Sequence, residues 1–225
     1  MTPQQQASSW LLNCHILDTE TTGLDSQAEI VEISIIDELG QVVLDTLVKP
    51  LKPIPADATA IHGITNNMVA SAPSWAEIHD DVCRIVSSKP LVIYNADYDM
   101  CLMAQTATLF GLNPVTADTG VHCAMLAYAE FYGDWNNFKG SYRWQRLTNA
   151  AQQQGVVIEG QAHRSLADVR MTLGVIKAMA TKIADDDVCD HCGTPGCDGT
   201  TICQHCGDRI ACDDQFCPRC TSGAI

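Results

Sequence analysis

Apolar residues along this chain fall in short blocks whose spacing alternates between strand-like and helix-like periods, and the changes of period mark the elements. Trp10 to Leu17 is an apolar run that stops abruptly at Asp18-Thr19-Glu20-Thr21-Thr22-Gly23, which predicts a strand opening into a loop. Ile30 to Ile36 and Gln41 to Val48 predict two more strands, joined by Asp37-Glu38-Leu39-Gly40, a connection of hairpin length. Pro50, Pro53 and Pro55 exclude regular structure just after the third of these strands. Ser74 to Ser87 then carries Ile78, Val82, Ile85 and Val86 at helical spacing, with Ser74 and Glu77 placed as a capping box. Leu91 to Tyr94 predicts a fourth strand, and Asp97 to Phe110 a helix stopped by Gly111. Further helices are predicted over Val121 to Phe131, Leu147 to Gln154 and Leu166 to Ala180, the last with Leu166, Val169, Leu173, Ile176 and Ala180 on one stripe. A hairpin followed by alternating strands and helices is the order of an α/β sheet.

At 225 residues the chain can hold one domain and a small appendage, and an apolar share of 46% supports a real core. The opening MTPQQQASSW lacks the basic start and apolar stretch of a secretory signal, and nowhere do eighteen apolar residues run together. The expectation is a soluble, cytoplasmic protein with no membrane partner. A net charge of −14 argues against a protein that grips long nucleic-acid tracts through Lys and Arg. It leaves room for an enzyme that holds a chain end, because divalent cations on clustered carboxylates reverse the local field. Gly133 to Arg146 departs from the acidic background: Trp135, Phe138, Tyr142 and Trp144 lie among Lys139, Arg143 and Arg146. Either it is a loop that faces nucleic acid, or its aromatics cover the edge of the core.

Three acidic segments carry candidate chemistry. Asp18 and Glu20 are two apart at a strand end, so the period of two points both carboxylates to one face. Strands often end in surface acids, and this pair alone is a weak signal. Asn95-Ala96-Asp97-Tyr98-Asp99 follows the fourth strand and enters a helix, where helix capping explains Asp97 without any further role. In His163-Arg164-Ser165-Leu166-Ala167-Asp168, Ser165 and Asp168 match a capping box, but capping does not explain His163. If Ser165 caps the helix, His163 lies in the segment before it and can swing beside the carboxylates, as a general base must.

Together, Asp18-Thr19-Glu20, Asn95-x-x-Tyr98-Asp99 and His163-x-x-x-x-Asp168 resemble the three motifs of the DEDD exonucleases, in their histidine (DnaQ-like) variant, over about residues 9 to 182. The family often has Phe where this chain has Tyr98. Ile61-His62-Gly63-Ile64-Thr65 also resembles a family segment beside the terminal nucleotide. The resemblance implies a ribonuclease-H-like five-stranded mixed sheet flanked by helices. It implies two Mg²⁺ or Mn²⁺ ions held by Asp18, Glu20, Asp99 and Asp168, with Asp18 bridging, and His163 as the base that takes a proton from the attacking water. Thr21 and His62 would contact the terminal nucleotide. The implied activity is 3′-5′ hydrolysis to nucleoside 5′-monophosphates, on single-stranded DNA ends by first preference and on RNA, in the manner of RNase T or oligoribonuclease, as the alternative. A non-enzymatic alternative is a zinc-ribbon adaptor with a silent nuclease domain, against which the presence of all five residues counts.

The last 37 residues hold eight of the twelve cysteines. Cys189/Cys192, Cys203/Cys206 and Cys217/Cys220 are C-x-x-C pairs recurring every fourteen residues, and Cys197 and Cys212 complete a set sufficient for two tetrahedral zinc sites. So polar a segment needs the metal to fold. The pattern resembles a double zinc ribbon over 189–222, after an acidic linker at 183–188. Cys203, Cys206, Cys217 and Cys220 form one site, or Cys189, Cys192, Cys203 and Cys206 do, and one or two zinc ions fit the count. His191 and His205 lie inside the pairs and are alternative ligands. With seven Asp and two Arg after Asp185, the tail suits protein contact or dimerisation better than DNA. The four remaining cysteines, Cys14, Cys83, Cys101 and Cys123, sit singly in apolar segments and are expected to be buried, inert thiols.

Overall fold

The computed structural model describes residues 1–157, 163–181, 200–202 and 209–211. The chain divides into two compact units, Met1–Thr181 and Lys182–Ile225.

The first unit is built on a five-stranded mixed sheet in the order β3-β2-β1-β4-β5. Strands β1 (His15–Thr21), β2 (Ile30–Asp37) and β3 (Val42–Leu47) form an antiparallel meander, as the hairpin spacing predicts. The turn from β2 to β3 is closed by Gly40, at φ 88°, donating to the Asp37 carbonyl, while the Asp37 side chain accepts from the amides of Leu39 and Gln41. Strands β4 (Leu91–Ile93) and β5 (Val121–Cys123) add in parallel beside β1. The core lies on both faces of the sheet. Ile16, Ile36 and Val92 pack against α1 (Pro3–Trp10), α6 (Ala124–Tyr132), α7 (Leu147–Gln153) and α8 (Ser165–Thr181). Leu17, Ile35 and Ile93, one position out of phase, pack against α4 (Trp75–Val86) and α5 (Ala96–Leu109). Alternate residues of β1 therefore serve opposite layers, and this alternation later decides which side chain goes where.

Beside the β2 residue Val31, α2 (Ala56–His62) and α3 (Asn66–Val69) close a smaller cluster with Ile54, Ala58, Ile64 and Val69. The pairing of β1 with β2 shifts between Glu20 and Thr21, leaving Val31 as the extra residue that reaches this cluster.

Two elements and one cysteine differ from expectation. The polar start is a helix, α1, capped by reciprocal bonds of Thr2 and Gln5 with Pro3 in its first turn, and it buries Ala7 and Trp10; the strand begins only at His15. Val121 to Cys123 is a strand, and the predicted helix starts at Ala124, because these three residues pair with Leu91 to Ile93. Cys101 is exposed, whereas Cys14 is buried and its thiol is pushed up to about 12, chiefly by burial.

Gly133 to Arg146 contains a short hairpin, β6 (Trp135–Asn136) with β7 (Ser141–Tyr142). In the second unit, β8 (Thr200–Ile202) pairs antiparallel with β9 (Arg209–Ala211). The eight tail cysteines and the linker at 183–188 lie outside the described residues, as do 158–162. Among the described residues no helix is long and apolar enough to cross a membrane.

Candidate active site

Asp18 shares its parity on β1 with Ile16, so it and Glu20 project to the layer that contains α8. The first turn of α8 brings Asp168 to the same place, and one carboxylate oxygen each from Asp18, Glu20 and Asp168 lies within 4.8 Å of the others. Asp99 arrives from the opposite layer, on the first turn of α5. Thr19, out of phase with its two acidic neighbours, donates its hydroxyl to Asp99 Oδ1 at 2.7 Å, and Asp99 is only 4% exposed. One strand thus directs two carboxylates upward and positions a third from below.

The electrostatics follow from crowding acids where water is scarce. Burial pushes Asp18 well above the usual carboxylate range, and the charges of Asp99, Asp168, Glu20 and Glu32 push it further. Glu20 is pushed up to about 8 by burial and then by Asp168, Glu32 and Asp99, with Arg164 opposing. Asp99 is pushed up to about 7 by burial, against the pull of the Thr19 hydrogen bonds. Burial also raises Asp168, which His163 partly offsets. Asp168 Oδ1 is buried and has no hydrogen-bond partner among the described residues. A buried carboxylate oxygen without a partner, facing two further carboxylates, is a donor set for a hard divalent cation. The residues present therefore fit the Mg²⁺ or Mn²⁺ implied by the sequence.

His163 is exposed and adopts φ 62°, the left-handed region. His tolerates it better than branched residues do, and such strain gathers at functional sites.

The start of α8 corrects one sequence reading. Ser165 does not form a capping box with Asp168. The backbone carbonyl of Arg164 accepts the first helical bond, from the Asp168 amide, and the Ser165 hydroxyl instead meets Ser34 Oγ at 2.6 Å. The cap comes from the sheet: Glu32, 3% exposed on β2, accepts the Ser165 amide at 2.9 Å and grips the Arg164 guanidinium through both carboxylate oxygens. Sequence reasoning passed over this pair. Its signal was an acid inside the apolar run Ile30 to Ile36, since a charge there must be paired.

Glu20 opens onto a cleft of ≈ 680 Å³ whose walls include Thr21, Leu24, Ile61, His62 and Tyr98. The Thr21 hydroxyl bonds the Gly23 carbonyl at 2.8 Å and lies 3.3 Å from the Tyr98 hydroxyl. His62 accepts the Ile64 amide at Nδ1, so Nε2 carries the proton and donates to the Thr21 carbonyl at 3.1 Å. Burial lowers its pKa, in keeping with a neutral ring. Both nitrogens are thereby committed to backbone, and His62 offers the cleft its ring rather than a hydrogen bond. Leu24 and Ile61 present exposed apolar surface to the same space.

A family model described as Exonuclease (RNase T) matches residues 15–176. An uncharacterized exonuclease, CP81, of Escherichia phage 186 is 53% identical over 184 residues, covering 80% of this chain and 94% of its own length. The DNA polymerase III epsilon subunit of Treponema pallidum is 31% identical over 179 residues, 78% of this chain and 79% of its own. Among solved structures, exonuclease X in complex with 5′-overhanging duplex DNA matches with a TM-score of 0.55 at 28% identity, over 75% of this chain and 92% of that one. Exonuclease I matches with a TM-score of 0.63 at 18% identity, over 76% of this chain and 41% of that one, a likeness of fold alone.

Proposed function

Because the chain belongs to the RNase T exonuclease family and is a 3′-5′ exonuclease of the DEDD kind, we propose that it trims single-stranded DNA from the 3′ end, releasing nucleoside 5′-monophosphates. The observation that carries this reading is the cluster of Asp18, Glu20 and Asp168 within 4.8 Å, with an unpartnered oxygen on Asp168, at the mouth of a cleft large enough for a nucleotide. DNA is favoured because the relatives named for a substrate or assembly are a DNA polymerase subunit and an exonuclease bound to DNA.

In this proposal Asp18, Glu20, Asp99 and Asp168 would hold two Mg²⁺ or Mn²⁺ ions. When bound, such ions neutralise the phosphate and make a hydroxide nucleophile accessible near neutral pH. The chain's own residues do the rest. His163, exposed and near enough to Asp168 for their charges to interact, takes the proton of the attacking water. Leu24 and Ile61 flank the terminal base, the His62 ring packs against the sugar, and the Thr21 segment fixes the position of the last nucleotide. Glu32 acts at one remove, setting the pitch of α8 from which Asp168 projects.

The test is laddering of 3′-intact, 5′-labelled single-stranded DNA and RNA with Mg²⁺, Mn²⁺ or EDTA. Stepwise shortening of DNA with either metal, absent in EDTA and in Asp18→Ala, is the expected result. Cleavage that survives EDTA or Asp18→Ala overturns the assignment, and shortening of RNA alone overturns the choice of substrate.

For the tail, the reading rests on spacing. Cys203 and Cys206 fall in the connection between β8 and β9, which is where a zinc ribbon carries one C-x-x-C pair. The eight cysteines would hold one or two Zn²⁺ ions, and the acidic tail would serve a protein partner or a second copy of the chain. Deleting 186–225 with no change in oligomeric state or partner binding removes that role.

A further inference from the structure

The hairpin at 133–146 resolves the two readings left open by its sequence. Its aromatic rings do not cover the core: Phe138 is 97% and Trp144 59% exposed, and Trp135 and Tyr142 are exposed as well. Trp135 and Tyr142 face each other across β6 and β7, ring centroids 4.9 Å apart and edge to face, which stiffens the base of the hairpin. Lys139, Tyr142, Arg143 and Trp144 line a cleft of ≈ 340 Å³.

The charge is as unusual as the exposure. In a chain of net charge −14, this segment holds Lys139, Arg143 and Arg146 against one acid, Asp134. Asp134 lies 3.9 Å from Arg143, while Lys139 and Arg146 have no acidic partner among the described residues. Exposed rings gathered in one segment mark an interaction surface, and the cations among them attract an anion locally despite the acidic background.

Its position relates it to the acids. The Tyr94 hydroxyl donates to the Gln145 carbonyl at 2.9 Å, tying the return arm of the hairpin to the end of β4. Ile93 pairs with Leu17, so Tyr94 and Asp18 are the next residues on adjacent parallel strands. The hairpin thus hangs from the same carboxyl end of the central strands as the carboxylate cluster.

We propose that this hairpin is a second binding site, taking single-stranded DNA upstream of the terminal nucleotide, with Phe138 and Trp144 stacking on bases and Lys139 and Arg143 on the phosphates between them. Rings receive unstacked bases whatever their sequence, and the paired cations answer the backbone charge. The inference rests on the exonuclease reading above and adds to it a strand-holding function remote from the chemistry.

The full-length protein is compared with Phe138→Ala, Trp144→Ala and the double variant Lys139→Ala/Arg143→Ala on two substrates: single-stranded DNA of about 15 nucleotides, and an aryl ester of thymidine 5′-monophosphate, which has no upstream strand. The expected result is a kcat/KM on the strand lowered about 5- to 100-fold, carried by KM, with ester hydrolysis unchanged. Wild-type kinetics on the strand overturn the proposal, and so do equal losses on both substrates, which would make the hairpin a folding element. Failure of the wild type on both substrates overturns the exonuclease reading instead. The hairpin is then judged by fluorescence quenching of Trp135 and Trp144 when the same oligonucleotide is added in EDTA: quenching weakened by Lys139→Ala/Arg143→Ala supports it, and no quenching in the wild type overturns it.

Discussion

Asp99→Asn gives the sharpest test of the carboxylate cluster, because it separates the folding cost of the acids from their use. In the metal-free protein Asp99 is 4% exposed and pushed up to about 7. The folded state therefore binds this proton more tightly than the unfolded chain, whose Asp titrates near 3.9, so stability falls as pH rises from about 4 to about 7. Above that window the carboxylate is ionised in both states, and some three pKa units at 1.36 kcal/mol each give a cost of about 4 kcal/mol. Asn keeps the Oδ1 that accepts the Thr19 hydroxyl, loses the charge, and adds a buried amide costing about 1–2 kcal/mol. The net gain is about 2–3 kcal/mol at pH 8, or roughly 5–10 °C in Tm for a domain of this size. Circular-dichroism melts in EDTA at pH 8 and pH 4.5 measure it: Asn melts higher at pH 8, with most of the advantage gone at pH 4.5. Saturating Mg²⁺ should raise the wild type and leave the variant nearly unmoved, because stabilisation by a ligand scales with its affinity for the folded state. A variant that melts below wild type by the same margin at both pH values refutes the reasoning.

Three other outcomes are expected. His163→Ala lowers kcat by about 10²–10⁴-fold with metal-induced thermal stabilisation retained; a wild-type rate in steady-state assays would remove His163 as the base. Glu32→Ala, which strands the Arg164 guanidinium and the Ser165 amide, lowers stability by about 2–4 kcal/mol, discounted because Arg164 is partly exposed; an unchanged denaturant midpoint contradicts its anchoring of α8. Elemental analysis of protein purified without added metal should find about one or two zinc atoms per chain, from Cys₄ sites. Zinc-free protein, or protein whose tail resists proteolysis equally after chelation, rules out zinc ribbons.

Much of the sheet could be read from the chain because Ile30 to Ile36 and the run into β1 are short, mostly apolar blocks bounded by turn residues, as strands buried on both faces are, and Asp37 to Gly40 is a turn by composition. The acids of β1 were legible because they are two apart at the end of such a block, their parity fixing a common face. What escaped was short or distant. Val121 to Cys123 is a strand only because Leu91 to Ile93 lies beside it, and three residues leave no period to detect. Helix α1 buries just Pro3, Ala7 and Trp10 among polar neighbours, so its capping signals were its main trace. The bond between Glu32 and Arg164 spans 132 positions, a separation at which local pattern says nothing about pairing. The hairpin's composition showed rings and cations together, but only exposure in the folded chain distinguishes a surface platform from a cover.

The alternation along β1 also limits how this protein can change its length. Between Ile16 and Glu20 each residue is assigned in turn to one layer or the other, hemmed by β2 on one side and β4 on the other. A single codon gained or lost there would exchange Leu17 and Thr19 with the acids, burying carboxylates against α4 and α5 and extinguishing the chemistry at once. Insertions outside the sheet leave that alternation untouched, so lineages of this enzyme are held to substitution alone through β1.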